Sequence, residues 1–146
     1  MAITASGLFG LTIEKCFNNG AAIDLEAETN KCAMIQDTAT PNFDTHDFWA
    51  DLSGNEVSGT GYTAGGKAYT NTELTLSSGV LTYDAADVAW TSSTITDAMA
   101  AVGYADSVAS DPLIFLSDFV SAVSTVSGTF TIQWNASGIF TLDYTP

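Results

Sequence analysis

Apolar residues along this chain recur with two periods, and the change from one to the other divides it. Between Ser6 and Asn19, Phe9, Ile13, Cys16 and Phe17 fall at i, i+4, i+7 and i+8, the stripe of an amphipathic helix. Ser6 offers an N-cap oxygen, and Asn18-Asn19-Gly20 stops the helix with Gly20 free to take the left-handed C-cap conformation. Next, Asp24, Glu26 and Glu28 alternate with Leu25, Ala27 and Thr29 as an acidic edge, leading into the apolar run Lys31-Cys32-Ala33-Met34-Ile35, which fits a buried strand. Beyond Gly66 the reading is β. Tyr69–Leu76 and Val80–Tyr83 flank Ser77-Ser78-Gly79 as a hairpin, and Val88-Ala89-Trp90 and Ile95 continue in short pieces. Ala98–Tyr104 contains helix-favouring Ala and Met, yet its shortness and the Asp106-Ser107 turn after it favour a strand. Leu113-Ile114-Phe115-Leu116 reads as a buried strand. Finally Phe130, Ile132 and Trp134, then Phe140, Leu142 and Tyr144, alternate with polar residues around Asn135-Ala136-Ser137-Gly138, which predicts a terminal hairpin over 128–146 with one face buried.

From Pro41 to Gly66 neither period holds. Gly54, Gly59, Gly61, Gly65 and Gly66 punctuate the segment, aromatic residues sit among acids, and a helical turn is expected at Thr45–Leu52. Excursions above about 12–15 residues are uncommon in compact domains and often functional. Phe43, Phe48, Trp49 and Tyr62 are therefore the candidate protein-interface residues, because interface anchors are enriched in aromatics; the same rings could equally pin the loop to its own core. One helix followed by six or more short strands predicts a single domain over 1–146. Its class is mainly β, an antiparallel β-sandwich or partly closed barrel with one N-terminal α-helix.

Composition narrows the chemistry. The chain has 146 residues, 46% of them hydrophobic, enough for one core without a second domain. Seventeen acids against three lysines and no arginine give a net charge of −14, which excludes nucleic acid and anionic membranes as expected partners and leaves no clamp for polyphosphates. The first twenty residues lack a basic n-region, so no secretory signal is expected. Phe119–Leu142 is uncharged but too rich in Ser, Thr, Gly, Gln and Asn for a membrane helix.

Residue types with catalytic or metal-binding potential are present without the spacing they need. Cys16, Cys32 and His46 with Asp44 or Asp47 have the makings of a thiol hydrolase or part of a zinc site, but both cysteines lie in apolar patterns and no C-x₂-C or H-x₃-H pairing occurs. Buried unpaired cysteines are the simpler reading. Asp24, Glu26, Glu28 and Asn30 match positions 1, 3, 5 and 7 of a calcium loop, yet Thr29 stands where Gly is needed and Ile35 where a closing Glu is needed. Asp84 and Asp87 are a second, sparser calcium candidate, and with so many acids carboxylate pairs for glycoside hydrolysis arise by chance. The expectation is no catalytic residue, no cofactor and no metal.

Several segments resemble small virion proteins of tailed bacteriophages. They are Leu11-Thr12-Ile13-Glu14-Lys15, the strand Lys31–Ile35, the loop Asn55–Gly66, the run Asp84–Thr96 and the ending Gly128–Phe140. The likeness covers almost the whole chain in order, and it departs at Lys67-Ala68-Tyr69 and at Ala98-Met99-Ala100-Ala101-Val102, where a bulkier strand is usual. The resemblance implies a capsid decoration, or cement, protein: a structural component, not an enzyme, made in the host cytoplasm and docked on the virion's outer capsid surface. Its expected partner is the major capsid protein. A homotrimer is expected, since cyclic symmetry is the simplest way to contact several capsomers. The alternatives are a tail, neck or baseplate component, or a carbohydrate-binding β-sandwich module.

Overall fold

The computed structural model describes residues 3–145. Its elements are β1 (Gly7–Leu8), α1 (Gly10–Phe17), β2 (Lys31–Gln36), β3 (Lys67–Ala68), β4 (Glu73–Ser77), β5 (Val80–Asp84), β6 (Val88–Tyr104), β7 (Leu113–Ile132) and β8 (Phe140–Asp143). They form two antiparallel sheets, one of five strands in the order β1-β7-β6-β2-β3 and one of three in the order β4-β5-β8. The class is mainly β with a single helix, and neither sheet closes into a barrel among the described residues, in keeping with a β-sandwich.

The centre of the larger sheet explains the small residues that set Ala98–Val102 apart. Ala98 to Tyr104 are buried without exception, because this half of β6 lies between β2 and β7 in the sheet and has a core on each face. Ala98 and Ala101 face one cluster with Cys32, Met34, Tyr83 and Phe115, while Met99, Ala100 and Val102 face another with Phe9, Ala33, Ile35, Trp49 and Leu52. Opposite Phe115, only a glycine fits: a Cβ on Gly103 would stand 2.2 Å from the Phe115 ring.

β6 and β7 form one long antiparallel ribbon that bends sharply. A straight strand would separate Phe119 from Phe130 by about 36 Å, yet their ring centroids are 6.3 Å apart. Register shifts between Trp90 and Ala100 make the bend, since bulges add residues to one strand and kink it. The ribbon thereby folds over, and Trp90, Phe130 and Ile132 join the same core cluster as Cys32 and Met34. What the sequence presents as short strands is one interrupted ribbon.

Four expectations need correction. The helix covers Gly10–Phe17 and not 6–19: Phe9 is its N-cap, and Ser6 Oγ instead accepts the Asp118 N–H at 2.9 Å. It docks by its first turn, through Phe9 and Thr12, so Cys16 and Phe17 of the expected stripe are exposed. Asn19, not Gly20, takes the left-handed conformation, at φ 63°. The turn expected at Thr45–Leu52 is two short 3₁₀ turns, Trp49–Asp51 and Ser53–Asn55. The terminal hairpin does not form either. Phe130 and Ile132 are buried with Thr129 and Thr131 exposed, as the alternation requires, but β7 pairs with β6 and β8 crosses to β5. Gly138, at φ 98°, makes that crossing, bringing the Ile139 N–H to the Tyr83 carbonyl at 2.7 Å. By contrast the predicted hairpin forms, although its first strand is Glu73–Ser77 and not Tyr69–Leu76, and Ser77 pairs with Val80, which leaves a two-residue turn with Ser78 and Gly79 both at positive φ, the pattern of a type I′ turn.

Candidate docking surfaces

The excursion from Pro41 to Gly66 is sewn to the body of the protein by its own side chains. Glu56 accepts hydrogen bonds from the Tyr62 hydroxyl and the Gly65 N–H, both at 2.7 Å, and the Tyr62 oxygen accepts the Met34 N–H at 3.1 Å. Tyr104 donates to the Gly65 carbonyl at 2.6 Å. Glycines permit the closest approaches: a Cβ on Gly66 would lie 2.0 Å from the Cys32 oxygen and one on Gly59 2.0 Å from the Thr94 oxygen. The neighbour that these glycines approach is their own chain.

The four aromatics named as interface candidates follow the same logic. Trp49 is buried and stacks on Tyr104 with centroids 5.0 Å apart, and Phe43 packs against Phe9 at 5.2 Å. Tyr62 lies 5.6 Å from Trp90. Phe48 is half-buried beneath the Lys15 ammonium, which sits 4.3 Å from its ring and also pairs with Asp47. All four contact the protein's own body, Trp49 buried and the other three half-buried.

Potential catalytic and metal-binding residues are dispersed. Cys16 is exposed at the end of α1 and Cys32 is buried in β2; neither is in a disulfide. Burial pushes the Cys32 thiol up to about 12, so it stays protonated and unreactive. His46 Nδ1 faces the Asn42 N–H at 3.4 Å. The acidic edge caps main chain: Glu28 accepts the Asn71 N–H, Glu26 accepts that of Leu74 at 3.2 Å, and Asp24 that of Glu26 at 3.0 Å. Asp84 and Asp87 accept the N–H groups of Ala85 and Trp134. Among the described residues no three His, Cys, Asp or Glu side chains converge on a metal position.

Two apolar surfaces that the sequence reading did not single out are exposed. The first is a row of leucines on the three-stranded sheet. Leu76 of β4 faces Leu81 of β5, which faces Leu142 of β8, so three side chains stand side by side across the sheet. Alternation puts them on the same face as buried Tyr83, but beyond the end of the core. Leu76 is 63% exposed and Leu142 37%, and Tyr144, also exposed, extends the row. The second surface is the bend of the ribbon, where Val120, Val123 and Val126 point to solvent. Beside it lies an apolar groove of about 270 Å³ between Phe119, Val123, Phe130, Ile132 and Trp134. Only the pairing of strands reveals the first surface; the second sits in the uncharged run Phe119–Leu142, and that run was its one visible sign.

No family model, curated protein or solved structure matches this chain. No helix among the described residues is long and apolar enough to cross a membrane.

Proposed function

We propose that the protein is a structural virion component that docks on the outer surface of a bacteriophage capsid, with the major capsid protein as its partner. The observation that carries this reading is the leucine row, Leu76, Leu81 and Leu142, whose outer members Leu76 and Leu142 are exposed at the end of a sheet in a chain of net charge −14. Exposed apolar side chains in register form a surface for protein contact. The acidic remainder suits the outside of a shell, since the DNA-facing side repels it. The resemblance of the sequence to small virion proteins supplies the partner class. On this reading the protein acts by contact, with no bond made or broken.

Capsids assembled without the protein provide the test. After mixing and sedimentation, the wild-type chain should travel with the capsids, and the double variant Leu76→Ser, Leu142→Ser should stay in the supernatant while melting within a few degrees of wild type. Wild-type protein that never sediments with capsids overturns the reading, and so does a double variant that binds equally well. Binding to isolated tails instead of capsids would transfer the role to another part of the virion.

A further inference from the structure

We propose that the bend of the β6–β7 ribbon is a self-association site, where β7 pairs edge to edge with β7 of a second copy, antiparallel about a two-fold axis at Val123. The outer edge of β7 carries β1 only at Phe115 and Leu116, and no described strand covers it from Ser117 to Ile132. The opposite edge of the ribbon is closed at the same level, since Thr94 of β6 donates to the Thr60 carbonyl at 2.9 Å and Gly59 packs on Thr94. Protein edges are normally defended by lysine, proline, an inward charge or a bulge that twists the edge away. From Phe119 to Ile132, β7 has no lysine, proline or charged residue, and the bulges that bend the ribbon are its one such device.

Two features of the bend favour a partner there. Val120 and Val126 are 73% and 80% exposed. The β6–β7 ladder is also loosened at this level, where side-chain oxygens serve as acceptors: Thr125 for the Ile95 N–H, Ser124 for that of Asp97 and Thr94 for that of Ser127.

The sequence identifies that strand as a second copy. Val120-Ser121-Ala122-Val123-Ser124-Thr125-Val126 has the same pattern in both directions, valine at the ends and centre with two small residues between. About Val123, antiparallel pairing sets Val120 against Val126 of the second copy and small residues against small ones, the self-complementarity that a two-fold contact requires. Charge agrees. Two chains of −14 repel, and this register places the flanking Asp118 opposite Gly128 instead of another acid.

Sedimentation velocity of the purified chain from micromolar to millimolar concentration tests the proposal. The expected result is a concentration-dependent shift from 15.2 kDa to twice that mass. Val123→Asp, which sets two carboxylates face to face at the axis, should weaken the dimer by about tenfold or more with an unchanged melting temperature. Should that variant fail to fold, Val123→Cys in a Cys16→Ser background should oxidise to a cross-linked dimer, with Ala122→Cys in the same background as the slower control. A monomer at every concentration overturns the proposal, as does a trimer, or a dimer that Val123→Asp leaves intact. The assay contains no capsid, so its failure leaves the leucine-row reading to its own test.

Discussion

Glu56 shows how much one side chain holds. Its carboxylate is the acceptor for both Tyr62 Oη and the Gly65 N–H, and Tyr62 in turn meets Met34 of β2, so three segments converge on one residue. Removing a partly buried acceptor leaves its donors unpaired at about 1–3 kcal/mol. Glu56→Ala should therefore lower stability by that amount in a denaturant titration, and Glu56→Gln, which keeps an acceptor oxygen, by less than half as much. Gly66→Ala should be at least as damaging, because the new Cβ would strike the Cys32 carbonyl at a residue with φ 76°. The thiols provide an independent check. Cys16 is exposed and Cys32 is wholly buried, so a thiol reagent should find one group per native chain and two after denaturation. Two equally reactive thiols in the native protein would mean that β2 is not where the structure puts it.

Among the elements, the ribbon of β6 and β7 decides the packing, and Trp90 is its anchor. Trp90 is fully buried, edge-on to Phe130 and tilted against Tyr62. Truncation of such a ring costs about 3–5 kcal/mol, so Trp90→Ala should unfold at a much lower temperature while Thr131→Ala, on the exposed face, changes little. Equal losses would mean the strand face is misassigned. Alternation made that face legible beforehand, as a turn with Gly79 did the β4–β5 hairpin and a continuous apolar run did buried β2. Pairing was not legible. Phe140, Leu142 and Tyr144 have the right period for a strand, but a period carries no record of which edge the strand joins, and β5 offered the free edge. The helix failed for a related reason: a stripe of four apolar residues presumes docking along the whole length, and α1 docks at one end. Bulges hid the ribbon by breaking its alternation near the bend. In the loop, aromatic composition located Phe43, Phe48, Trp49 and Tyr62 without distinguishing outward from inward; the Glu56 and Tyr104 hydrogen bonds turn the loop inward. The leucine row needed three strands in register to exist, so no local window of sequence contained it.

At the scale of the whole molecule, burial of tyrosine sets an alkaline limit. Tyr62, Tyr69, Tyr83 and Tyr104 are all shifted upward, mainly because the interior excludes their charged forms, and Cys32 is raised to about 12 in the same way. In the unfolded chain these groups ionise in their ordinary range, about pH 8.5 for the thiol and 10 for the phenols. Above that range the unfolded state holds fewer protons than the native state, so stability falls as pH rises. Each group adds about 1.4 kcal/mol per pH unit to the slope, and thermal melts should show a steep loss beginning near pH 9–10. At the acid end, Asp51 is held below the usual carboxylate range, chiefly by the N–H groups of Phe48 and Asp47. Its contribution is present above the unfolded pKa and disappears as pH drops through the lower native one. Asp51→Ala should accordingly be destabilising at neutral pH and indistinguishable from wild type in strong acid.

The larger sheet also dictates an order of events. β2 lies between β3 and β6, and β1 is hydrogen-bonded to β7 across more than a hundred residues of chain. During synthesis, the segments made first therefore wait for strands made last, and the buried face of β2, Cys32-Ala33-Met34-Ile35, stays uncovered meanwhile. The β4–β5 hairpin and the β6–β7 ribbon, by contrast, join neighbouring segments of chain. Refolding should accordingly be slow for a chain of this size, with these two pairings formed early and the N-terminal strands protected from hydrogen exchange last.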